Sequence, residues 1–438
     1  MSEYQIHVEH LQSLFTKALA YANYDQVLIY SGEHSYGFLD DNAFGFKANP
    51  YFKYWLPLPQ QQKSFVCIEA GKKPKVYLFQ QEDYWHAQPK LPEGEWLEYF
   101  DLEIIDDPEK VIRKHLINNS NAAAIGDFSL RQFKGEHTAV NPSRLLNYLD
   151  YHRAYKTEWE KNNLRRANIL AAKGHLAAKQ AFYQGKTEFE THLAYLQAIS
   201  TRETQLPYNN IIAFGQNASV LHYDQYQTQT VGHQYSFLID AGASVNGYNA
   251  DISRTYVKDA ELDGNSETFS AMFAAYTQCF KSLLSEIELG KSFLEFHDSA
   301  HKKMTEILCQ FDVLNCSVEK AYDKGYSQRF FPCGVGHYIG AQVHDVGGYL
   351  ANEQGDSLNK DPRYPFLRLM RPMEQNIAFT VEPGIYFIDS ILKHEQLNTD
   401  FNWKVIESLK PFGGFRLEDT ILMNASGAEN ISAEWVPY

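Results

Sequence analysis

At 438 residues the chain exceeds what a single hydrophobic core usually serves, so two domains are expected. A hydrophobic share of 44%, with 28 Phe and 29 Tyr, excludes a disordered chain. The formal net charge of −14 repels phosphate backbones and argues against a nucleic-acid partner.

The first stretch reads as alternating helix and strand. An opening helix carries Leu11, Leu14, Phe15, Ala18 and Leu19 on one stripe, and the segment QVLIYSG follows as a strand. SFVCIEA, KVYLFQ and AAAIGDF are further strands, separated by breaks rich in Pro and Gly. Residues 1–155 thus form a small α/β domain. Past Tyr155 a long helix places Leu164, Ala167, Ala171, Gly174, Ala178 and Phe182 on one face, with Gly185 where a helix-ending glycine belongs. Helices near 265–288 and 293–311 follow, then strands towards the C-terminus. Residues 156–438 are expected to form an α+β domain that holds the chemistry.

The five cysteines (Cys67, Cys279, Cys309, Cys316 and Cys333) are odd in number, scattered and free of CxxC pairs. They signal neither a disulfide framework nor a zinc knuckle, which fits a reducing cytosol. The N-terminus MSEYQIHVEHLQSLF lacks the pattern of a signal peptide, and no apolar run approaches the roughly 18 residues of a membrane span. A soluble, cytoplasmic protein with no membrane partner is expected. Gly185-Lys186-Thr187 resembles the end of a phosphate-binding loop, but Gln180 stands where that loop needs Gly. Neither HExxH nor GxSxG occurs.

The strongest local signal is FLIDAGASVNGYNADISRTY. Asn246-Gly247 between strand-like runs predicts a two-residue type I′ turn. That turn pairs Val245 with Tyr248 and sets Asp240 opposite Ser253. Asp240 and Asp251 become diagonal neighbours on one sheet face, roughly 7–8 Å apart, where two carboxylates repel unless a proton or cation lies between them. GVGHYIGAQVHDVGG adds His337 and His344, TVEPGIYF adds Glu382, and GGFRLEDTILM sets Arg416 and Glu418 on one face of a strand. Four carboxylates and one imidazole make a hard, oxygen-rich ligand set suited to two divalent ions.

The order Asp, Asp, His, Glu, Glu within these motifs resembles the pita-bread metallopeptidases, which include methionine aminopeptidase, aminopeptidase P and prolidase. FLDDNAFGFKANPYFKYWLP, HRAYKTEWE and FPCGVGHYIGAQVHDVGGY are most similar to bacterial Xaa-Pro dipeptidase and organophosphorus acid anhydrolase. The resemblance spans nearly the whole chain. It implies a pita-bread catalytic domain with one metal on Asp240, Asp251 and Glu418 and the other on Asp251, His337, Glu382 and Glu418. The ions are expected to be Mn²⁺, with Co²⁺ or Zn²⁺ as alternatives, and their bridging hydroxide would be the nucleophile. It further implies that Glu382 shuttles the proton and that His344 steadies the carbonyl. His222, Tyr208, Arg368 and Arg416 would line the substrate, with Arg368 on its carboxylate and Arg416 orienting Glu418.

Asp41 and Trp85 match positions that reach a neighbouring subunit's active site, which implies a homodimer whose N-terminal domain limits the substrate to a dipeptide. One position departs from the family: Cys333 stands where a histidine is usual, four residues before His337. The expected activity is hydrolysis of the bond before proline in Xaa-Pro dipeptides, with organophosphate triesters as a side reaction. The alternatives are aminopeptidase P acting on longer peptides and a catalytically weakened peptide-binding relative.

Overall fold

Helix α1 (Glu3–Ala22) begins where the Ser2 side chain accepts a hydrogen bond from the Gln5 amide, and it ends at Asn23, whose φ is 65°. Its stripe of Leu11, Leu14, Phe15, Ala18 and Leu19 is buried, as the spacing predicts. These elements come from a computed structural model that describes residues 1–87, 90, 92–119, 121–128, 139–229, 235–258 and 264–438.

The chain divides into two units. The first comprises Met1–Asn163, Val245–Tyr248 and Leu350–Ser357, so two later segments join it. Its sheet contains β1 (Gln26–Tyr30), β2 (Phe65–Glu69), β3 (Lys75–Phe79), β4 (Asp101–Ile105), β5 (Ala122–Ile125) and β6 (Ala139–Val140), in the order β4-β3-β2-β1-β5-β6. Alternate residues feed two cores. Val27 and Ile29 of β1 pack with α1, while Leu28 and Tyr30 pack with Val111 and Ile112 on the other side. Burial on both faces explains why these strands read as continuous apolar runs.

The second unit comprises Leu164–Ser244, Asn249–Tyr349 and Leu358–Tyr438. Helices α2 (Pro50–Trp55), α3 (Pro108–Ile112) and α4 (Ser143–Arg153) belong to the first unit. The long α5 (Glu158–Tyr183) leads into the second, which contains α6 (Glu188–Ile199), α7 (Gly264–Leu284) and α8 (Phe293–Gln310). At the end of α5 the Gly185 amide bonds the Phe182 carbonyl and the Lys186 amide bonds the Ala181 carbonyl. Gly185 has φ 76°, which closes this terminus in the left-handed region. Gly174, mid-helix on the buried face, lies under Tyr195 of α6, and a Cβ there would stand 2.5 Å from the tyrosine ring.

The strands of this unit are β7 (Ile211–Phe214), β8 (Ser236–Asp240), β9 (Ser244–Val245), β10 (Tyr248–Asn249), β11 (Ser253–Val257), β12 (Ala378–Val381), β13 (Gly384–Tyr386), β14 (Gly414–Arg416), β15 (Asp419–Asn424) and β16 (Gly427–Asn430), with the tip of the β9–β10 hairpin grouping with the first unit. They form the three-stranded sheets β11-β8-β7 and β12-β15-β16 and the pairs β10-β9 and β13-β14. Asn246 and Gly247 have φ of 52° and 87°, both positive as a type I′ turn requires. The register that this turn sets holds along the hairpin, and Asp240 pairs with Ser253. A single bridge between Ser253 and Glu418 links this sheet to the C-terminal strands.

Candidate active site

Asp240 ends β8, Asp251 precedes β11, and Glu382 follows the last residue of β12. Each acid therefore sits where regular pairing stops, with its backbone fixed by an apolar strand. The Tyr208 hydroxyl lies between two of them, 2.7 Å from Asp240 Oδ1 and 2.5 Å from Asp251 Oδ1. A phenol carries one proton, so it can donate to only one carboxylate at a time.

Arg416 Nη2 donates to Asp240 Oδ2 at 2.7 Å, Nε to Ser253 Oγ at 2.8 Å, and Nη1 to the Tyr386 hydroxyl at 2.8 Å. Ser253 Oγ in turn donates to Glu418 Oε2 at 2.7 Å. Arg416 thus bonds Asp240 directly and reaches Glu418 only through Ser253. The strand breaks between β14 and β15, and Arg416 turns its fork towards the β8–β11 hairpin.

His337 Nδ1 lies 2.9 Å from the Tyr338 carbonyl oxygen, which fixes a proton on that nitrogen. Its Nε2 faces Asp251 Oδ2 and Glu382 Oε1, each at 3.5 Å. Ligand atoms of Asp251, His337 and Glu418 all lie within 4.8 Å of one another, and the three residues are buried.

The charges are costly at such separations. Burial, reinforced by the neighbouring Asp251, pushes Asp240 up to about 7 despite Arg416 and Tyr208. Burial and the three other acids hold Glu418 well above the usual carboxylate range. Glu382 is raised mainly by burial, against the pull of His337. Asp251 moves the other way: burial opposes its ionisation, but His337 and the Tyr208 hydroxyl outweigh burial and keep it charged.

His344 is exposed, with its ring edge-on to His337 at 4.4 Å between centroids. Partial desolvation and the nearby His337 and Arg368 charges lower it to about 4. Arg368 and His222 are exposed and lie within electrostatic reach of His344. Cys333 packs beside Tyr223 and Tyr386, and burial with the Glu382 charge pushes its thiol up to about 12. Asp41 and Trp85 belong to the first unit, where both are exposed.

Sequence reasoning missed the outer partners. Ser253 and Tyr386 anchor Arg416, and the buried Arg254 binds Asp419 at 2.7 Å beside Glu418. The register already set Ser253 against Asp240, so that signal was present; Tyr386 and Arg254 carried none.

The family model for metallopeptidase family M24 matches residues 162–425, and that for the Xaa-Pro dipeptidase N-terminal domain matches residues 2–151. The chain belongs to metallopeptidase family M24. It is 43% identical over 436 residues to Xaa-Pro dipeptidase 2 of Idiomarina loihiensis, covering 99% of this chain and 98% of the relative. It is 38% identical to the Xaa-Pro dipeptidase of Colwellia psychrerythraea, covering 99% and 97%. Among solved structures, the zinc-substituted Escherichia coli aminopeptidase P in complex with product superposes with a TM-score of 0.74 at 18% identity, covering 100% of this chain and 96% of that one. Proline aminopeptidase P II from Yersinia pestis gives 0.71 at 19% identity, covering 100% and 97%. At such identities the likeness concerns the fold, and the M24 unit has the pita-bread arrangement.

M24 enzymes are metal-dependent hydrolases, and the residues of this site fit divalent cations. Glu418 Oε1 is buried and has no hydrogen-bond partner among the described residues. Leaving a buried carboxylate oxygen unpaired amid three other acids is unfavourable unless a cation joins them. The M24 donors offer carboxylate oxygens and one imidazole nitrogen, a set matched to Mn²⁺, Co²⁺ or Zn²⁺.

Proposed function

We propose that the protein hydrolyses Xaa-Pro dipeptides at the bond before proline, using two divalent ions held by Asp240, Asp251, His337, Glu382 and Glu418. The observation that carries the metal assignment is the unpartnered Glu418 oxygen within a group of buried acids that a single arginine cannot neutralise. The substrate assignment rests on relatives called Xaa-Pro dipeptidase that match this chain almost end to end.

When bound, the ions supply Lewis acidity towards the peptide carbonyl and lower the pKa of the hydrolytic water. The chain's own residues do the rest. Arg416 and Ser253 hold Asp240 and Glu418 in place, and the Tyr338 carbonyl fixes the His337 tautomer that presents Nε2. Glu382, raised by burial, is poised to take a proton and pass it to the departing prolyl nitrogen. His344 stays neutral at pH 7 and donates to the carbonyl oxygen as it gains charge. Arg368 offers a planar, exposed fork to the dipeptide carboxylate, and Tyr208 and His222 border the same space.

Residues 1–155 are the proposed dimer-forming and pocket-closing domain, with 156–438 catalytic. Tyr36, Phe38, Leu39, Phe44, Tyr84 and Trp85 of the first domain are exposed apolar side chains available to a second copy of the chain. In this reading Asp41 and Trp85 limit the substrate to two residues. Mn²⁺ is the proposed ion and the cytoplasm the proposed location. No helix among the described residues is long and apolar enough to cross a membrane. Organophosphate triesters are a proposed side substrate.

Asp240→Asn tests the assignment. It is expected to reduce bound metal below two ions per chain and to abolish dipeptide hydrolysis. Full activity at unchanged metal content would remove the binuclear site.

A further inference from the structure

An exposed arginine that must recognise a carboxylate needs a fixed backbone, because its long side chain is otherwise free to wander. The segment 364–370 that carries Arg368 is held from three directions. On one side it lies against glycines. A Cβ on Gly334 would stand 3.0 Å from the Phe366 carbonyl oxygen, and one on Gly348 would stand 2.6 Å from that of Arg368. On a second, the Tyr349 hydroxyl donates to the Leu367 carbonyl at 2.7 Å, and the Met370 amide donates to the Gly348 carbonyl at 2.9 Å.

The third hold comes from α8. Asp298 accepts from the Tyr364 hydroxyl at 2.6 Å, from Arg363 Nη1 at 3.2 Å and from the Tyr322 hydroxyl. These donors and the Arg363 charge outweigh the cost of partial burial and keep its carboxyl below the usual range. Two further side chains of α8 grip the same ring. His301 stacks on Tyr364 at 4.8 Å with planes 12° apart, and His297 meets it edge-on at 4.4 Å. The Leu367 amide then bonds the Tyr364 carbonyl at 3.2 Å, so the anchored tyrosine closes a turn one residue before Arg368. Pro365 and Phe366 within that turn are exposed, while Leu367 and Leu369 on either side of Arg368 are buried. The two leucines hold the backbone at Arg368, and Asp298 with Tyr364 fixes the turn that leads into it.

We propose that Asp298, acting through Tyr364, is a positioning residue that sets recognition of the substrate carboxylate by Arg368. This rests on the reading of Arg368 as the carboxylate-binding residue. Neither Asp298 nor Tyr364 touches substrate. Their effect is confined to the geometry of one contact, so it should appear as selectivity for a charged C-terminus and not as a general loss of rate.

The test compares Ala-Pro with Ala-Pro-amide on metal-loaded wild type, Asp298→Asn, Tyr364→Phe and Arg368→Met. Binding of proline and prolinamide by calorimetry serves as a readout independent of turnover. Wild type is expected to favour the free acid by roughly 10- to 100-fold, the range of a charge-assisted contact. Arg368→Met should erase that preference. Asp298→Asn and Tyr364→Phe should each cut it at least threefold, through KM for the acid and Kd for proline, leaving kcat and the amide rates unchanged. If both variants keep the wild-type preference, or lower acid and amide equally, the positioning role is overturned while the reading of Arg368 stands. If Arg368→Met itself retains the preference, that reading falls and the positioning role falls with it.

Discussion

In metal-stripped protein, Asp240 should contribute a loss of stability as pH rises from about 4 to about 7. Asp240 is raised in the folded chain from its ordinary 3.8 to about 7 by burial and by Asp251. The unfolded chain has released this proton above pH 4, whereas the folded chain keeps it until pH 7. This contribution therefore falls through that window and levels off above it, while His7, His175 and His301, lowered by burial, act in the opposite sense. The interval corresponds to about 4 kcal/mol at 1.36 kcal/mol per pH unit. Glu382 and Glu418 are raised as well and act in the same sense. Asp251 lies below its ordinary value, so its contribution is lost only at more acid pH and does not offset the trend. The melting temperature of stripped wild type relative to stripped Asp240→Asn should shift between pH 5 and pH 8 on the order of 8 °C for a unit of this size. Asp240→Asn keeps an oxygen for Arg416 but removes the titration, so its stripped form should melt higher than wild type at pH 8 and gain on wild type between pH 5 and pH 8. Parallel profiles for the two stripped proteins would refute the assignment of the strain to Asp240.

Arg416→Lys removes the fork that joins Asp240, Ser253 and Tyr386; metal affinity by chelator competition should weaken about 10- to 100-fold, and unchanged affinity would deny Arg416 its supporting role. His344→Ala should lower kcat by roughly 100-fold while two ions per chain remain, since one lost donor to a developing oxyanion has about that effect. Loss of metal instead would make His344 part of the metal shell. Gly174→Ala should destabilise the protein by about 1–3 kcal/mol in urea, because the new methyl meets the Tyr195 ring at 2.5 Å. A stabilisation, as expected for Ala in an open helix, would mean that α5 and α6 separate easily.

What the sequence made legible was local. Asn246-Gly247 dictates a turn, the turn dictates a register, and the register brings Asp240 opposite Ser253, so the hairpin could be built outward from its turn. The stripe on α1 and the face of α5 follow from helical spacing in the same way. The family motifs named the four acids and one histidine, but their environment was hidden. Strand alternation placed Arg416 with Glu418, because it compares neighbours along one strand. The direct partner is Asp240, 176 residues earlier, reached because the strand ends at Arg416 and the side chain crosses to another sheet. Tyr208 between two carboxylates and Tyr386 under the guanidinium are likewise products of long-range packing, to which no spacing rule applies. The same holds for Leu350–Ser357, which groups with the first unit although it is distant in sequence.

The most direct measurement is hydrolysis of Ala-Pro and Ala-Pro-Gly by metal-stripped protein, with and without added Mn²⁺. The expected result is cleavage of the dipeptide alone, and only with metal. Cleavage of the tripeptide would contradict the dipeptidase assignment in favour of an aminopeptidase, and no cleavage of either with two ions bound would leave a peptide-binding protein in place of an enzyme.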